Sequence, residues 1–244
     1  MKISVLIPMY NEEKAVASLI ETLFSYMEEH FFGEYEVVLI NDGSTDQTEK
    51  EAKERLPETF CLISYPKNRG KGYALRRGME EAQGDILFFT DCDLAYGTEV
   101  IEQFYRVLSE NQKDAAVGSR SLHPDGYRGY GFLRRVASRA YLWLLHTYGG
   151  LSLSDSQCGC KAYRKQAGKD IFALVETDGF AFDMEAILIG QKMGISFCEV
   201  PVLIRNHGKS SVHVFRDTKR MLHDLSVIKK RVKKMTLSPK KEKR

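Results

Sequence analysis

Short apolar runs separated by longer stretches of helical periodicity fill roughly the first half of the chain, and this alternation constrains the fold more than any other feature. The runs are ISVLIP (3–8), YEVVLI (35–40), FCLISY (60–65), DILFFT (85–90) and DAAVG (114–118). Helices are expected between them, from about Glu12 to His30, Gln47 to Leu56, Lys71 to Ala82 and Thr98 to Glu110. Runs this short and this uniformly apolar, joined by helices, belong to βαβ units whose sheet is covered on both faces. An α/β fold with a mostly parallel sheet is therefore expected. In the first helix Val16, Leu19, Ile20, Leu23, Phe24 and Met27 recur at helical spacing and read as a core stripe. The second half is less regular. It offers an amphipathic segment from about Leu133 to Tyr148, a helix near Lys165 to Val175, a strand within SFCEVPVLI and a basic final helix from about Val214 to Lys234. With no repeat and no linker, the expected division is one domain over residues 1–212 and a basic helix and tail over 213–244.

With 43% hydrophobic and 28% charged residues in 244, the chain has material for a sizeable core, which excludes disorder and low-complexity classes. The formal net charge of +3 conceals a split: residues 216–244 carry 12 Lys/Arg against 3 Asp/Glu. The body is thus about −6 and the C-terminal segment about +9. ISVLIP runs directly into Asn11, Glu12 and Glu13, unlike a secretory signal, so a cytosolic location is expected. The longest charge-free run, Ala140 to Ser154, falls short of the roughly 18 apolar residues of a membrane span. Five cysteines do not suggest a disulfide framework, and Cys158-Gly159-Cys160 lacks the second Cys/His pair of a zinc finger. Reduced thiols are expected.

In an open parallel sheet, ligands bind in the crevice outside the carboxyl ends of the strands. The residues there are polar and acidic: Pro8-Met9-Tyr10-Asn11-Glu12, then Asn41-Asp42-Gly43-Ser44-Thr45-Asp46, then Asp91-Cys92-Asp93. Each has a structural alternative. Asn11 could cap the first helix, Ser44, Thr45 or Asp46 the second, and Asp93 the one after DILFFT. Asp91 and Asp93 are the harder pair to explain so, because two carboxylates at i and i+2 repel unless a cation or donors lie between them. Mg²⁺ or Mn²⁺ is commonly held by one or two carboxylates, with substrate phosphates completing the shell. The pair therefore suggests a nucleotide diphosphate held through a metal, and the absence of GxGxxG argues against a dinucleotide cofactor.

Taken together, VLIPMYNE (5–12), NDGSTD (41–46), NRGKGYALRRGM (68–79), DCD (91–93) and VGSR (117–120) resemble a family 2 glycosyltransferase of the GT-A fold. The resemblance implies that Pro8, Tyr10, Glu12 and Asp42 line a base and ribose pocket, that Lys71 and Cys92 lie near the nucleotide sugar, and that Asp91 and Asp93 bridge the metal to the diphosphate. SDSQCGCKAYRK (154–165), GFAFDMEA (179–186) and EVPVLIRNHGKSS (199–211), behind FLRRVASRAYLWLL (132–145), are similar to the polyprenyl-phosphate glycosyltransferases, the group that includes dolichyl-phosphate mannose and glucose synthases. A lipid monophosphate is already anionic at neutral pH. Such a protein needs no strong base, but must hold two anions in line. Arg120, Arg134, Arg139, Lys161, Arg205 and Lys209 are the available cations, with Gln157 a further sugar or phosphate contact. Asp155 matches an acidic position of the family motif and is the expected essential carboxylate of the second half. Of Asp183 and Glu185, one would orient substrate while the other caps a helix or pairs with a base. Two departures stand out: Ala95 occupies the place of a third polar metal ligand, and Gly208-Lys209-Ser210-Ser211 replaces GxSK.

The segment 133–148, with Arg134, Arg135 and Arg139 at its start and Trp143 on its apolar face, fits either a helix lying in the headgroup plane or a core stripe. The tail KKRVKKMTLSPKKEKR would be attracted to an anionic membrane surface. It lacks the aromatic interleaving of a nucleic-acid track, so no nucleic-acid partner is expected. The expected activity is inverting transfer of a hexose from a nucleotide diphosphate sugar to a polyprenyl phosphate at the cytosolic membrane face, peripherally bound, with UDP-glucose favoured as donor and GDP-mannose open. A separate membrane-spanning partner is compatible with this reading. The rivals are a family 2 enzyme acting on a soluble or protein-linked acceptor, with Asp183 or Glu185 as base, and a nucleotide-binding adaptor without catalysis.

Overall fold

A computed structural model describes residues 1–127, 150–205 and 214–236, with side chains in the last helix from residue 223. Five strands and four helices alternate first: β1 (Ile3–Met9), α1 (Val16–Phe31), β2 (Tyr35–Asn41), α2 (Thr48–Glu54), β3 (Phe60–Ser64), α3 (Lys71–Glu81), β4 (Ile86–Phe89), α4 (Glu99–Glu110) and β5 (Ala115–Ser119). Then come β6 (Lys161–Arg164), α5 (Lys165–Leu174), α6 (Phe182–Lys192), β7 (Phe197–Pro201) and α7 (Val214–Lys234). One sheet has the order β3-β2-β1-β4-β6-β5-β7. All its pairings are parallel except those of β6, which runs antiparallel to both β4 and β5.

The period of two along each strand divides the core. Ile3, Val5 and Ile7 of β1 face the α1 and α4 side with Leu19, Leu23 and Phe104, whereas Leu6 faces Leu75, Met79 and Leu225 on the other. Both faces are covered, which is why the strands read as continuous apolar runs. The ends of β1 and β2 lie side by side, Met9 opposite Asn41, and Leu6 of β1 pairs with Phe89 at the end of β4. The three polar segments identified in the sequence therefore emerge at one edge.

Several expectations change. Helix α1 starts at Val16 rather than near Glu12, because Asn11 adopts a left-handed φ of 57° and carries the chain across to the 41–46 loop. Phe24 is 40% exposed and lies outside the core stripe, edge-on to Phe60. Strand β6, the sequence KAYR, has no apolar run to announce it. Helix α6 is buried on every side, so GFAFDMEAILIG shows no amphipathic stripe. The 133–148 segment lies outside the described residues, and among those described no helix is long and apolar enough to cross a membrane.

Candidate active site

The NDGSTD loop is built as a cradle. Gly43 has a φ of 63°, and a Cβ there would lie 2.3 Å from the Lys67 carbonyl carbon, so only glycine fits. The turn leaves the Asp42 carboxylate buried, where it accepts from the Arg69 N–H and the Gly70 N–H, both at 2.8 Å, and from Asn68 Nδ2 at 3.0 Å. Asp42 thereby fixes the entry to α3, where Gly70 takes a φ of 106°. Asn11 joins β1 to the same loop: its Oδ1 accepts from the Thr45 N–H at 2.8 Å, and its own N–H donates to Ser44 Oγ at 2.9 Å. It is a loop clasp, not a helix cap. Of the three candidate caps for α2, Asp46 accepts from the Thr48 N–H at 3.0 Å. Tyr10, at the lip, is 45% exposed, and Pro8 is half-buried opposite Ile40.

Helix α3 opens with Lys71, whose ammonium meets Asp91 Oδ1 at 2.5 Å. Burial opposes that charge, but Asp91 and Asp183 together hold the Lys71 pKa above its ordinary value. Across Asp91 lies Gly159: a Cβ there would stand 2.1 Å from Asp91 Oδ2. Asp91 is thus boxed between a lysine and a bare backbone. Asp93 differs. The residue reaches the surface but its carboxyl is partly desolvated: it accepts from the Ala95 N–H at 3.1 Å, and desolvation, followed by Asp91, pushes the carboxyl up. It caps no helix, since α4 begins at Glu99. Glu12 lies close enough that Asp93 and Asp46, after burial, raise its carboxyl too. The side chain of Cys92 turns into the core, where burial raises its thiol pKa, so the thiol is not a nucleotide-sugar contact.

These donors suit a hard divalent cation. They are carboxylate oxygens, and the raised carboxyl of Asp93 reflects first its partial desolvation and then repulsion by Asp91, both of which a bound cation would relieve. Among the described residues no cluster of three or more metal-ligating side chains closes into a cage, and position 95 is an alanine. Completion of a shell would fall to phosphate oxygens and water.

The second half supplies the opposite wall. Asp155 is fully buried and grips Arg120 through two prongs, Nε to Oδ2 at 2.6 Å and Nη2 to Oδ1 at 2.8 Å, while the Arg120 N–H also donates to Oδ2 at 3.1 Å. Tyr96 connects the walls, its hydroxyl accepting from the Gly159 N–H at 3.2 Å. Gln157, next along the loop, is half-buried, and its Nε2 has no partner among the described residues.

Lys161, counted among the cations for phosphate, is instead fully buried, with Nζ on Asp183 Oδ1 and on the Cys158 carbonyl, both at 2.7 Å. Asp183 lies beneath the crevice, its carboxyl raised by burial and pulled back by Lys161 and Lys71. Glu185 faces away from it: it accepts from the Thr177 N–H at 2.8 Å and pairs with Arg231 of α7. Arg205 sits over the loop after DCD, pairing Glu99 at 2.6 Å. Arg134, Arg139 and Lys209 lie outside the described residues. Sequence reasoning assigned no role to Tyr96, Gly159 or Asn68. A glycine following DSQC was the one available signal for close backbone approach.

The family model "Glycosyl transferase family 2" matches residues 4–172. The dolichyl-phosphate beta-glucosyltransferase of Saccharomyces cerevisiae is 28% identical over 246 residues, covering 93% of this chain and 74% of the relative. Glycosyltransferase AglD of Haloferax volcanii is 33% identical over 223 residues, covering 89% of this chain and 35% of the relative. Among solved structures, glucosyl-3-phosphoglycerate synthase from Mycobacterium tuberculosis in complex with UDP superposes with a TM-score of 0.69 at 20% identity, covering 94% of this chain and 80% of that one. At that identity the likeness is one of fold, the GT-A arrangement of a mostly parallel sheet. With the family model spanning more than half of the sequence and the carboxylates gathered at the strand ends, the chain belongs to glycosyl transferase family 2.

Proposed function

We propose that this chain transfers glucose from UDP-glucose to a polyprenyl phosphate, with inversion, at the cytosolic face of a membrane. The observation that carries this reading is the gathering of Glu12, Asp42, Asp91 and Asp93 at the carboxyl ends of β1, β2 and β4, with the Asp155–Arg120 pair on the segment that Gly159 brings against Asp91 and Tyr96. Dolichyl-phosphate beta-glucosyltransferases, similar along most of this chain, support glucose and a lipid phosphate.

In the proposed reaction a phosphate oxygen of the lipid forms a bond to the anomeric carbon as the bond from that carbon to the nucleotide diphosphate breaks, releasing UDP. The acceptor arrives deprotonated, so no side chain is required as base. Asp155 occupies the Nε and Nη2 prongs of Arg120 and so fixes the place of its positive charge, which would offset that of the acceptor phosphate. Lys71 fixes Asp91, and Asp183 beneath them holds Lys71 and Lys161 rather than touching substrate. Mg²⁺ or Mn²⁺, held by Asp93 with Asp91, would supply positive charge to the departing diphosphate. Gln157 Nε2 is a donor for a sugar hydroxyl or a phosphate oxygen, and Arg134, Arg139, Arg205 and Lys209 remain candidates for the acceptor headgroup.

The test is a donor panel, UDP-glucose against GDP-mannose, with a short polyprenyl phosphate, with and without Mn²⁺ or Mg²⁺, read by product mass. A hexosyl phosphate lipid formed from UDP-glucose only when metal is present is the expected product. Transfer only to a non-phosphorylated or soluble sugar acceptor would reject the acceptor, and product from GDP-mannose alone would reject the donor.

A further inference from the structure

We infer that Arg231, on the C-terminal helix and remote in sequence from every motif, is a positioning residue for the nucleotide-sugar site. The inference rests on the donor-site assignment above.

Its path is continuous. Leu225, Ile228 and Val232 bury one face of α7 in the same core cluster as Met184 and Ile187 of α6. This brings the Arg231 guanidinium to Glu185, a carboxylate with no solvent exposure, and to Glu176 at 2.5 Å. The other oxygen of Glu185 accepts from the N–H groups of Thr177 at 2.8 Å and Glu176 at 3.2 Å. The loop so held supports the start of α3: the Asp178 carbonyl accepts from the Gly72 N–H at 2.8 Å, and Arg76 Nη1 donates to the Thr177 carbonyl at 3.3 Å. The Asp178 carboxylate pairs with both Arg69 and Arg76. Contact is tight enough to demand glycine, since a Cβ on Gly72 would lie 2.2 Å from the Thr177 carbonyl and one on Gly70 would lie 2.5 Å from that of Asp178. Residues 69–71 are the ones whose amides hold Asp42 and whose lysine holds Asp91.

A buried carboxylate deprived of its counterion must take up a proton or move toward water. Either change disturbs the bonds from Glu185 to residues 176–177, and with them the support under α3. Replacing both partners with apolar residues of similar size removes the uncompensated charge and leaves the packing.

Full-length wild type, Arg231→Met, Arg231→Lys and the double variant Arg231→Met/Glu185→Met are compared by hydrogen exchange without ligand and by steady-state kinetics. In Arg231→Met the amides of residues 70–73 and 177 are expected to exchange about tenfold faster while those of β1 and β2 are unchanged, and the donor KM to rise about tenfold with the acceptor KM unaltered. The double variant should return toward wild type, and Arg231→Lys, which keeps charge but loses the fork, should change the same amides and the donor KM by about threefold. Unchanged exchange at 70–73 in folded Arg231→Met overturns the inference, as does equal loosening of β1 or an equal rise in both KM values. If Arg231→Met does not fold, Arg231→Lys decides, and exchange at 70–73 equal to wild type overturns it. The exchange measurement needs no nucleotide, so wild-type protein that fails to bind UDP rejects the donor-site reading alone.

Discussion

Asp91 and Asp93 are two residues apart in sequence and differ in what holds them. Asp91 is neutralised by Lys71, whereas Asp93 faces the crevice with its carboxyl raised by burial and by Asp91. A carboxyl whose folded pKa lies above its unfolded value costs stability when ionised, and that cost disappears below the unfolded pKa, about 4. In EDTA at pH 7, Asp93→Asn is therefore expected to melt slightly above wild type, with the difference closing as pH falls below about 4. Turnover should fall by about a hundredfold or more, because the carboxylate proposed to hold the divalent cation has lost its charge. An Asp93→Asn protein that melts lower at pH 7, or that turns over normally, would contradict the assignment. The same shift sets the acid limb of the pH–rate profile. Ligation requires the ionised carboxylate, so at limiting metal concentration activity should begin to fall at a pH above the ordinary aspartate value of about 3.9. A limb at or below that value would show that Asp93 does not titrate in the active form. At this scale much of the site was legible: two carboxylates ending an apolar strand repel unless something lies between them. Lys161 was not legible, because nothing local distinguishes a lysine that solvates on the surface from one sealed against Asp183, 22 residues further on.

Elements bring these residues together by backbone approach as much as by side chains. The loop before β6 passes so close to Asp91 that Gly159 tolerates no Cβ, and its amide is tied to Tyr96. Gly159→Ala is expected to push Asp91 off Lys71 and lower turnover by about a hundredfold, the cost of roughly an ångström of misplacement, with a smaller effect on melting temperature. Wild-type turnover in this variant would mean that the loop yields and that the approach is incidental. β1, β2, β4 and β5 were readable because each is buried on both faces, whereas the edge strand β3, only partly buried, was readable from its apolar run alone. β6 was not, since its four residues begin and end with a base and its place between β4 and β5 is fixed by pairing alone. Helix α6 hid for the opposite reason: burial on all sides removes the period that betrays a helix.

The charge split acquires a different geometry in the whole molecule. The sequence suggests a basic tail free to meet a membrane, yet α7 is anchored by Leu225, Ile228 and Val232, and its Arg231 faces inward. Lys192 ties the helix end further, donating to the Val232 carbonyl at 2.6 Å and to that of Lys233 at 2.8 Å. Among the described side chains of the helix its exposed lysines are Lys229, Lys230, Lys233 and Lys234. Deleting residues 229–244 would therefore remove core and charge together, and loss of membrane binding in such a truncation would not identify the cause. Neutralising Lys230, Lys233 and Lys234 to Gln separates the two. Near an anionic surface each basic residue contributes about 1 kcal/mol, so the triple variant should bind phosphatidylserine vesicles roughly a hundredfold more weakly at low salt. Its melting temperature should be unchanged, and wild-type binding should itself weaken as the Debye length shortens to about 8 Å near physiological ionic strength. Cosedimentation over a salt series measures both effects. Equal binding by variant and wild type, or wild-type binding indifferent to salt, would move the membrane contact away from this helix face.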